Sequence, residues 1–302
     1  MMPNFFIVGA AKSGTTSLWY YLKQHPQVFF PNNKEPNFFA FEGLEIPPFT
    51  GPASPEVLRD KIYLRTITQL SRYQDLFKKV SSEKAVGEAS VRYLYFPQAS
   101  QKIHAYLPSS KIIIILRNPI DRLYSHYLMM KGQYCLEPLE LDEALEQEGR
   151  RIAADWGWDW HYVKVSLYFE QVKRYLDLFG AANVRVLIYE DFCQKPLKVI
   201  QEIFEYLDVD SDFTPDVSSR RMQAYWPRNS GVDKLLRTPN KINTSLAKIL
   251  PEKTYKGLIR HSVRLNKGQP PSLSPKIKEK LQETFQPDIL NLENLLGRKL
   301  PW

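Results

Sequence analysis

Cysteine is the scarcest reactive residue in this chain of 302, which has only Cys135 and Cys193. Two are too few for a disulfide framework or a zinc site, and both read as free thiols in a cytosolic setting. Long apolar runs are also missing. Nothing approaches the roughly 18 residues of a membrane-spanning helix. The opening Met1-Met2-Pro3-Asn4, followed by Phe5-Phe6-Ile7-Val8, lacks the charged start and apolar core of a secretory signal. A cytoplasmic protein without a transmembrane segment is expected. No repeat, low-complexity tract or linker-like composition divides the chain, which reads as one domain over residues 1–302. Dense basic clusters are absent too. Groups such as Lys276-Ile277-Lys278-Glu279-Lys280 are diluted by acids and read as solvated helix faces. With no nucleic-acid-binding motif either, a nucleic-acid partner is not expected.

What is present points toward anions. The formal net charge of +8 favours anionic ligands in general. An aromatic content of 13% suits either a ring-rich core or stacking on a nucleotide or sugar. Apolar runs at Phe5–Val8, Ala85–Gly87, Lys111–Leu116 and Val184–Tyr189 read as buried strands. Amphipathic stretches separate them, at Thr16–Gln24, Gln98–Tyr106, Ile120–Met130, Leu139–Glu148, Ser166–Phe179 and Pro196–Leu207. That alternation predicts an α/β fold, a P-loop-like central parallel sheet with helices on both faces. Ile112-Ile113-Ile114-Ile115-Leu116 is apolar on both faces and suits the sheet centre. Residues of about 4–207 form the expected nucleotide-binding core. An irregular region of loops and short helices follows over about 208–274, then a C-terminal helix over about 275–296 that packs back on the sheet.

The strongest local pattern is the strand Phe5–Val8, then Gly9-Ala10-Ala11-Lys12-Ser13-Gly14-Thr15-Thr16-Ser17-Leu18, then a helix. A tight loop feeding a helix N-terminus aims backbone N–H groups and the positive end of the helix dipole at an anion. Glycines let the backbone approach closely, and Thr15, Thr16 and Ser17 add hydroxyls. A capping turn with nothing bound is the plain alternative. The spacing approaches G-x-x-x-x-G-K-[ST], but Thr15 stands at the lysine position and Lys12 comes earlier. The central strand ends in Arg117-Asn118-Pro119 rather than in an aspartate that holds Mg²⁺. A phosphate-like donor held by cationic side chains, without metal, fits better than ATP-dependent phosphoryl transfer. A P-loop-type kinase and a non-enzymatic basic binding module are the rival readings.

Arg117 sits at the strand edge where open α/β sheets bind ligands, and Pro119 suits the first turn of the next helix. An arginine fork with the Ser125 hydroxyl suits a phosphate monoester. Ser125 lies further along that helix, so the turn must fold back for both to share a pocket.

Ala11–Leu18 resembles the 5'-phosphosulfate loop of sulfotransferases that use 3'-phosphoadenosine 5'-phosphosulfate (PAPS), and Arg117–Ser125 resembles their 3'-phosphate motif. Order and separation match. The segment Ser166–Leu207, with Val186-Leu187-Ile188-Tyr189-Glu190-Asp191-Phe192, is similar to the family's late strand and helix. In motif style the chain is closest to the heparan-sulfate-type branch and looks like a bacterial-like soluble member. The resemblance implies in-line transfer of a sulfuryl group from PAPS to an acceptor hydroxyl or, less favoured, an amine. It implies that Lys12, Ser13, Gly14, Thr15, Thr16 and Ser17 hold the 5'-phosphosulfate, while Arg117 and Ser125 hold the 3'-phosphate. Lys267-Gly268 resembles a late basic loop that closes over the nucleotide, with a plain surface loop as the alternative.

Lys12 would stabilise the departing phosphate. In Lys34-Glu35-Pro36-Asn37-Phe38-Phe39, Glu35 matches the general base of that branch, and Pro36 predicts extended backbone there. An exposed Glu35 paired with Lys34 is the alternative. A histidine is the competing base; His126, beside Ser125, reads as structural, and His104 and His161 are unplaced. One departure stands out. Ala89 follows Glu88 where the heparan-sulfate branch commonly has lysine, which counts against a polysaccharide acceptor and leaves open whether Arg92 compensates. Trp156-Gly157-Trp158-Asp159-Trp160-His161-Tyr162 reads either as acceptor recognition or as a local hydrophobic staple. Arg92, Trp156, Trp158 and His161 are the candidate substrate residues. The acceptor is left open among a small molecule, a glycoside, a lipid and a saccharide.

Overall fold

The computed structural model describes residues 1–218, 226–237 and 251–302. Its strands are β1 (Phe5–Gly9), β2 (Val28–Phe29), β3 (Ala85–Ala89), β4 (Lys111–Leu116) and β5 (Val184–Ile188). They pair into one sheet of five in the order β2-β3-β1-β4-β5, with every neighbour parallel. This is the α/β arrangement that the alternating pattern predicts. β2 gives no periodic signal because it is two residues long. Tyr189 opens a helix rather than extending β5.

Successive strand residues face opposite sides of a sheet. Phe6, Val8, Ile112, Ile114 and Leu116 enter one core, while Phe5, Ile7, Ile113 and Ile115 enter the other. All nine are completely buried, which is why β1 and β4 read as unbroken apolar runs. Each such side chain stabilises the fold by about 1.5–3 kcal/mol. Thr15–Leu22 and Pro196–Tyr206 cover one face, through Leu18, Leu22, Ile200 and Phe204. Phe169–Phe179 covers the other, and Pro275–Leu296 packs against it with Leu281, Phe285 and Leu292. The carboxylate of Asp288 joins the two by accepting from the N–H groups of Tyr168 at 2.7 Å and Phe169 at 3.2 Å.

Most element boundaries shift by a few residues from the periodic reading, and three places differ more. Ile120–Met130 becomes the helix Pro119–Leu128, continued by a π-helical turn at Met129–Gln133. Leu139–Glu148 becomes two short helices, Leu141–Glu146 and Glu148–Ala153. In the region about 208–274, residues 219–225 and 238–250 lie outside the described ones. The described part holds the helices Ser230–Arg237 and Glu252–Leu265. The second is longer than the short helices expected, with Tyr255, Ile259 and Val263 half-buried along one side and Leu258 and Leu265 exposed. Among the described residues no helix is long and apolar enough to cross a membrane.

Gly87 marks the tightest point in the sheet. A Cβ there would lie 2.3 Å from Cζ of Phe5 and 2.5 Å from Cε1 of Phe30. Those rings already pack edge-on at 5.2 Å and are buried. Gly87→Ala is therefore expected to cost about 1–3 kcal/mol through overpacking. Urea denaturation checks this, and an unchanged midpoint would show that the rings can part freely.

Candidate active site

β1 ends at Gly9 and the chain turns sharply. Ala10 N–H donates to the Ile115 carbonyl of β4 at 2.7 Å, and Ser13 N–H donates back to Ala10 at 3.3 Å. Gly14 then adopts a left-handed φ of 87° as the cap of Thr15–Leu22, a conformation glycine takes without strain. Gly14 has no side chain with which to cap that helix, whose dipole has its positive end here. Gly14, Thr15, Thr16 and Ser17 line a cavity of about 310 Å³. Ser13 does not join them; it is completely buried and its hydroxyl faces Tyr168.

Lys12 lines the cavity from a left-handed backbone, φ 67°, and its Nζ lies 3.5 Å from Met129 Sδ. Left-handed non-glycine residues are uncommon and cluster at functional sites. Burial, and then the neighbouring Arg117, lowers its ammonium pKa to about 8, with Glu35 opposing.

At the end of β4 the Arg117 guanidinium donates to the Lys12 carbonyl at 3.2 Å and sits 5.0 Å from the Tyr189 ring centre. Its own carbonyl accepts from Tyr168 Oη at 3.0 Å. The Asn118 side chain accepts from Ile120 N–H at 3.0 Å and Asp121 N–H at 3.3 Å, and Pro119 opens the helix. This tight capped turn folds the helix back, and Ser125 lines the same cavity as Arg117. Lys267 and Gly268 are not in that lining. Lys267 is exposed and bridges Pro227, and Gly268 N–H donates to Trp226 at 2.8 Å. The segment comes near nonetheless, because Tyr124, next to Ser125, donates its hydroxyl to the Pro271 carbonyl.

Glu35 enters the cavity after β2, with Lys34 Nζ 2.7 Å from its Oε1. Glu35 is therefore half-buried rather than exposed, and it is paired with Lys34 as the alternative reading expects. The extended backbone expected ahead of Pro36 does not form; φ is 65°. Pinning to β3 outweighs the local preference. Glu35 N–H donates to the Ala89 carbonyl at 2.9 Å, Asn37 N–H to Ser90 Oγ at 3.1 Å, and Asn37 Nδ2 to the Glu35 carbonyl at 2.8 Å. Burial would raise the Glu35 pKa, but the adjacent Lys34 prevails and holds the carboxyl below its usual value.

Arg92, just past β3, donates from Nη2 to Asp159 Oδ1 at 2.8 Å. Its guanidinium lies 5.2 Å from the Tyr63 ring centre and 5.0 Å from that of Trp158. Arg92, Trp158 and Asp159 line the cavity; Trp156 and His161 do not. Trp156 packs edge-on against buried Trp160, whose Nε1 donates to the Leu136 carbonyl at 3.1 Å. His161 is buried with its Nδ1 2.8 Å from Tyr95 Oη. The tryptophan stretch is therefore divided, with Trp158 at the cavity and Trp160 in the core. His126 is completely buried with Arg122 Nη1 3.1 Å from its Nδ1, and burial followed by Arg122 pushes its pKa well below the usual value. His104 packs on Phe179. Among the described residues no histidine lines the cavity.

Tyr189 and Phe192 at one end of the cavity, and Asp159, Met129 and Tyr134 at the other, are lining residues the sequence reading did not single out. The strand-end rule that marks Arg117 applies equally to Tyr189, one residue past β5. Tyr134 and Met129 carry no comparable signal.

Residues 2–296 match the sulfotransferase domain family. The crystal structure of a sulfotransferase from Alicyclobacillus acidocaldarius is 35% identical, with a TM-score of 0.75, over 99% of this chain and 98% of that one. The membrane-associated sulfotransferase kil1 of Dictyostelium discoideum is 21% identical over 312 residues, 78% of this chain and 62% of that protein. Mouse carbohydrate sulfotransferase 15 is 23% identical over 317 residues, 84% of this chain and 54% of that protein. The chain thus spans less than two thirds of the length of these two relatives. With a parallel sheet, a cavity-lining loop after β1 and a family match from residue 2 to residue 296, this chain belongs to the sulfotransferase family, whose chemistry is sulfuryl transfer.

Proposed function

We propose that this chain, acting as a single domain over residues 1–302, transfers the sulfuryl group of PAPS to an acceptor hydroxyl. The observation that carries the reading is that Lys12, Glu35 and Arg117 line one cavity together with the helix start Gly14–Ser17. A nucleotide with two separate anionic ends needs two separate cationic grips. The loop with Lys12 suits the 5' end, and Arg117 with Ser125 suits a 3'-phosphate. Phe192 and Pro196 add an apolar wall suited to a purine. Thr15 at the P-loop lysine position and Arg117 at the end of β4 favour this donor over ATP with Mg²⁺.

In the proposed reaction the acceptor oxygen bonds to sulfur as the bond between sulfur and the 5'-phosphate oxygen breaks. The electron pair of that bond leaves on the phosphate oxygen, where the Lys12 ammonium offsets the charge. The acceptor proton passes to the Glu35 carboxylate. Positioning and electrostatics supply most of the acceleration in such transfers, and a positioned base contributes typically about 10²–10⁴-fold. Lys34 keeps Glu35 ionised at neutral pH, ready to accept that proton.

Calorimetric titration with the product 3'-phosphoadenosine 5'-phosphate should show tight binding that needs no metal. Lys12→Ala and Arg117→Ala should each weaken it by about 10–100-fold, the worth of a charge-assisted hydrogen bond. A preference for ATP with Mg²⁺ would put kinase chemistry first instead.

The pH profile separates the two catalytic groups. Lys12 acts as an ammonium, so kcat/KM for the donor should fall as pH rises through about 8. Bound phosphate favours the charged form, so kcat should persist to higher pH. Because the Glu35 pKa is lowered, the acid limb should appear only below the ordinary carboxylate range. Glu35→Gln should abolish that limb and lower kcat by about 10²–10⁴-fold while sparing nucleotide binding. Normal turnover in Glu35→Gln would end the assignment.

A further inference from the structure

Beside Glu35 the cavity wall holds groups that neither donor binding nor proton transfer uses. Arg92, Trp158 and Asp159 line it there and are 4%, 4% and 3% exposed. The 2.8 Å ion pair of Arg92 with Asp159, flanked by the Tyr63 and Trp158 rings, is held rigidly and cancels its own charge. Among the described residues three polar atoms of these lining side chains have no partner, Arg92 Nε and Trp158 Nε1, both N–H donors, and Asp159 Oδ2, an acceptor; the buried Tyr63 hydroxyl behind them, off the lining, is a fourth. A buried polar group left unpaired costs about 1–3 kcal/mol. Three of them in adjoining side chains on one cavity wall point to a ligand that satisfies them.

The mix of donors and acceptor selects the kind of ligand. A carboxylate or sulfate only accepts, and it would face the lone pairs of Asp159 Oδ2. An ammonium only donates and would leave both N–H groups unmet. A hydroxyl does both. The charge balance agrees. Among the described residues the cationic side chains of the lining are Lys12 and Arg117, at the donor end, and Arg92, which Asp159 neutralises. Glu35 is paired with Lys34. The rest of the wall here is apolar, with Ile62, Val91 and Met129, and Tyr134 adds a ring. No cation stands at Ala89, directly after Glu88.

Resting on the donor assignment above, we propose that the acceptor is a small uncharged alcohol or phenol with an apolar body. The Arg92–Asp159 pair and the Trp158 indole select it against anionic saccharides. The acceptor's hydroxyl, or a second hydroxyl on the same molecule, donates to Asp159 Oδ2 and accepts from the two N–H groups.

The test compares acceptors with PAPS as donor, using 7-hydroxycoumarin and cyclohexanol against a heparan sulfate oligosaccharide. Binding of 3'-phosphoadenosine 5'-phosphate is measured in parallel on each protein. Turnover of the neutral compounds, with kcat/KM for the oligosaccharide at least about 100-fold lower, is the expected result. Trp158→Phe removes one donor and keeps a ring, and should raise KM for the neutral acceptors by about two- to tenfold, the worth of one hydrogen bond. Asp159→Asn should raise it further and narrow the discrimination against the oligosaccharide, because Arg92 is no longer neutralised. Nucleotide affinity should stay within about threefold in both variants, since neither residue belongs to the donor end. Turnover of the oligosaccharide alone, or of neither class, with nucleotide binding intact would overturn the acceptor assignment by itself. Failure of the unmodified protein to bind the nucleotide would instead overturn the donor reading, and the acceptor proposal with it. If Asp159→Asn does not fold, the KM change in Trp158→Phe decides, and an unchanged KM counts against the proposal.

Discussion

Parallel pairing of β1 with β3 on one side and β4 on the other is the constraint from which the site follows. With every strand running the same way, all five C-terminal ends lie along one edge of the sheet. Each contributes to the cavity: the loop after β1 gives Lys12, that after β2 gives Glu35, and that after β3 gives Arg92. The ends of β4 and β5 add Arg117 and Tyr189. Cross-bonds then lock the loops to one another. Arg117 holds the Lys12 carbonyl and lies against Tyr189, while Glu35 N–H is tied to the end of β3. A slip of one residue in any of these pairings would turn inward-facing side chains outward and separate these groups.

The second organising feature is the unequal distribution of charge. Lys12 and Arg117 crowd together in one part of the cavity, and Arg122 lies completely buried nearby. Arg122 is held by Ser166 Oγ at 2.6 Å, the Tyr162 carbonyl at 2.8 Å and His126, with no carboxylate paired to it among the described residues. Burial lowers even this guanidinium to about 10. The crowding disfavours protonation of Lys12 in the free protein, and an anion relieves it on binding. Around Glu35 and Arg92 the charges are already matched in pairs, Arg92 with Asp159 and Lys34 with Glu35. One cavity therefore offers a cationic part, with Lys12 and Arg117, and a part where the charges are matched in pairs, the distribution on which the proposed donor and acceptor both rest.

Much of the fold was legible because its signals are local. A strand, a turn rich in small residues and a helix start announce themselves within a dozen residues, and an unbroken apolar run announces a central strand. β2 escaped because two residues carry no period. The backbone of Glu35 was misjudged because the proline rule concerns its immediate neighbour, whereas hydrogen bonds to Ala89 and Ser90, more than fifty residues away in sequence, set the conformation. In the tryptophan stretch, composition marked a cluster of indoles but not which one meets the cavity. That depends on Arg92 and Leu136, each contributed by another part of the chain.

The sequence by itself determined the small-residue loop between β1 and the first helix, the arginine at the end of the central strand, the alternation that makes a parallel sheet, and the presence of a carboxylate in the Lys34–Phe39 segment. All of these rest on residue type and short spacing, which act through the backbone within a few bonds. Tertiary structure alone decided that Ser125 turns back to join Arg117 and that Ser13 is buried beneath the loop. It also decided that Arg92 is bound to Asp159, and that Trp158, not Trp156, reaches the cavity. Those outcomes depend on which distant side chains compete for the same space and the same hydrogen bonds, and that competition exists only once the sheet has brought the loops together.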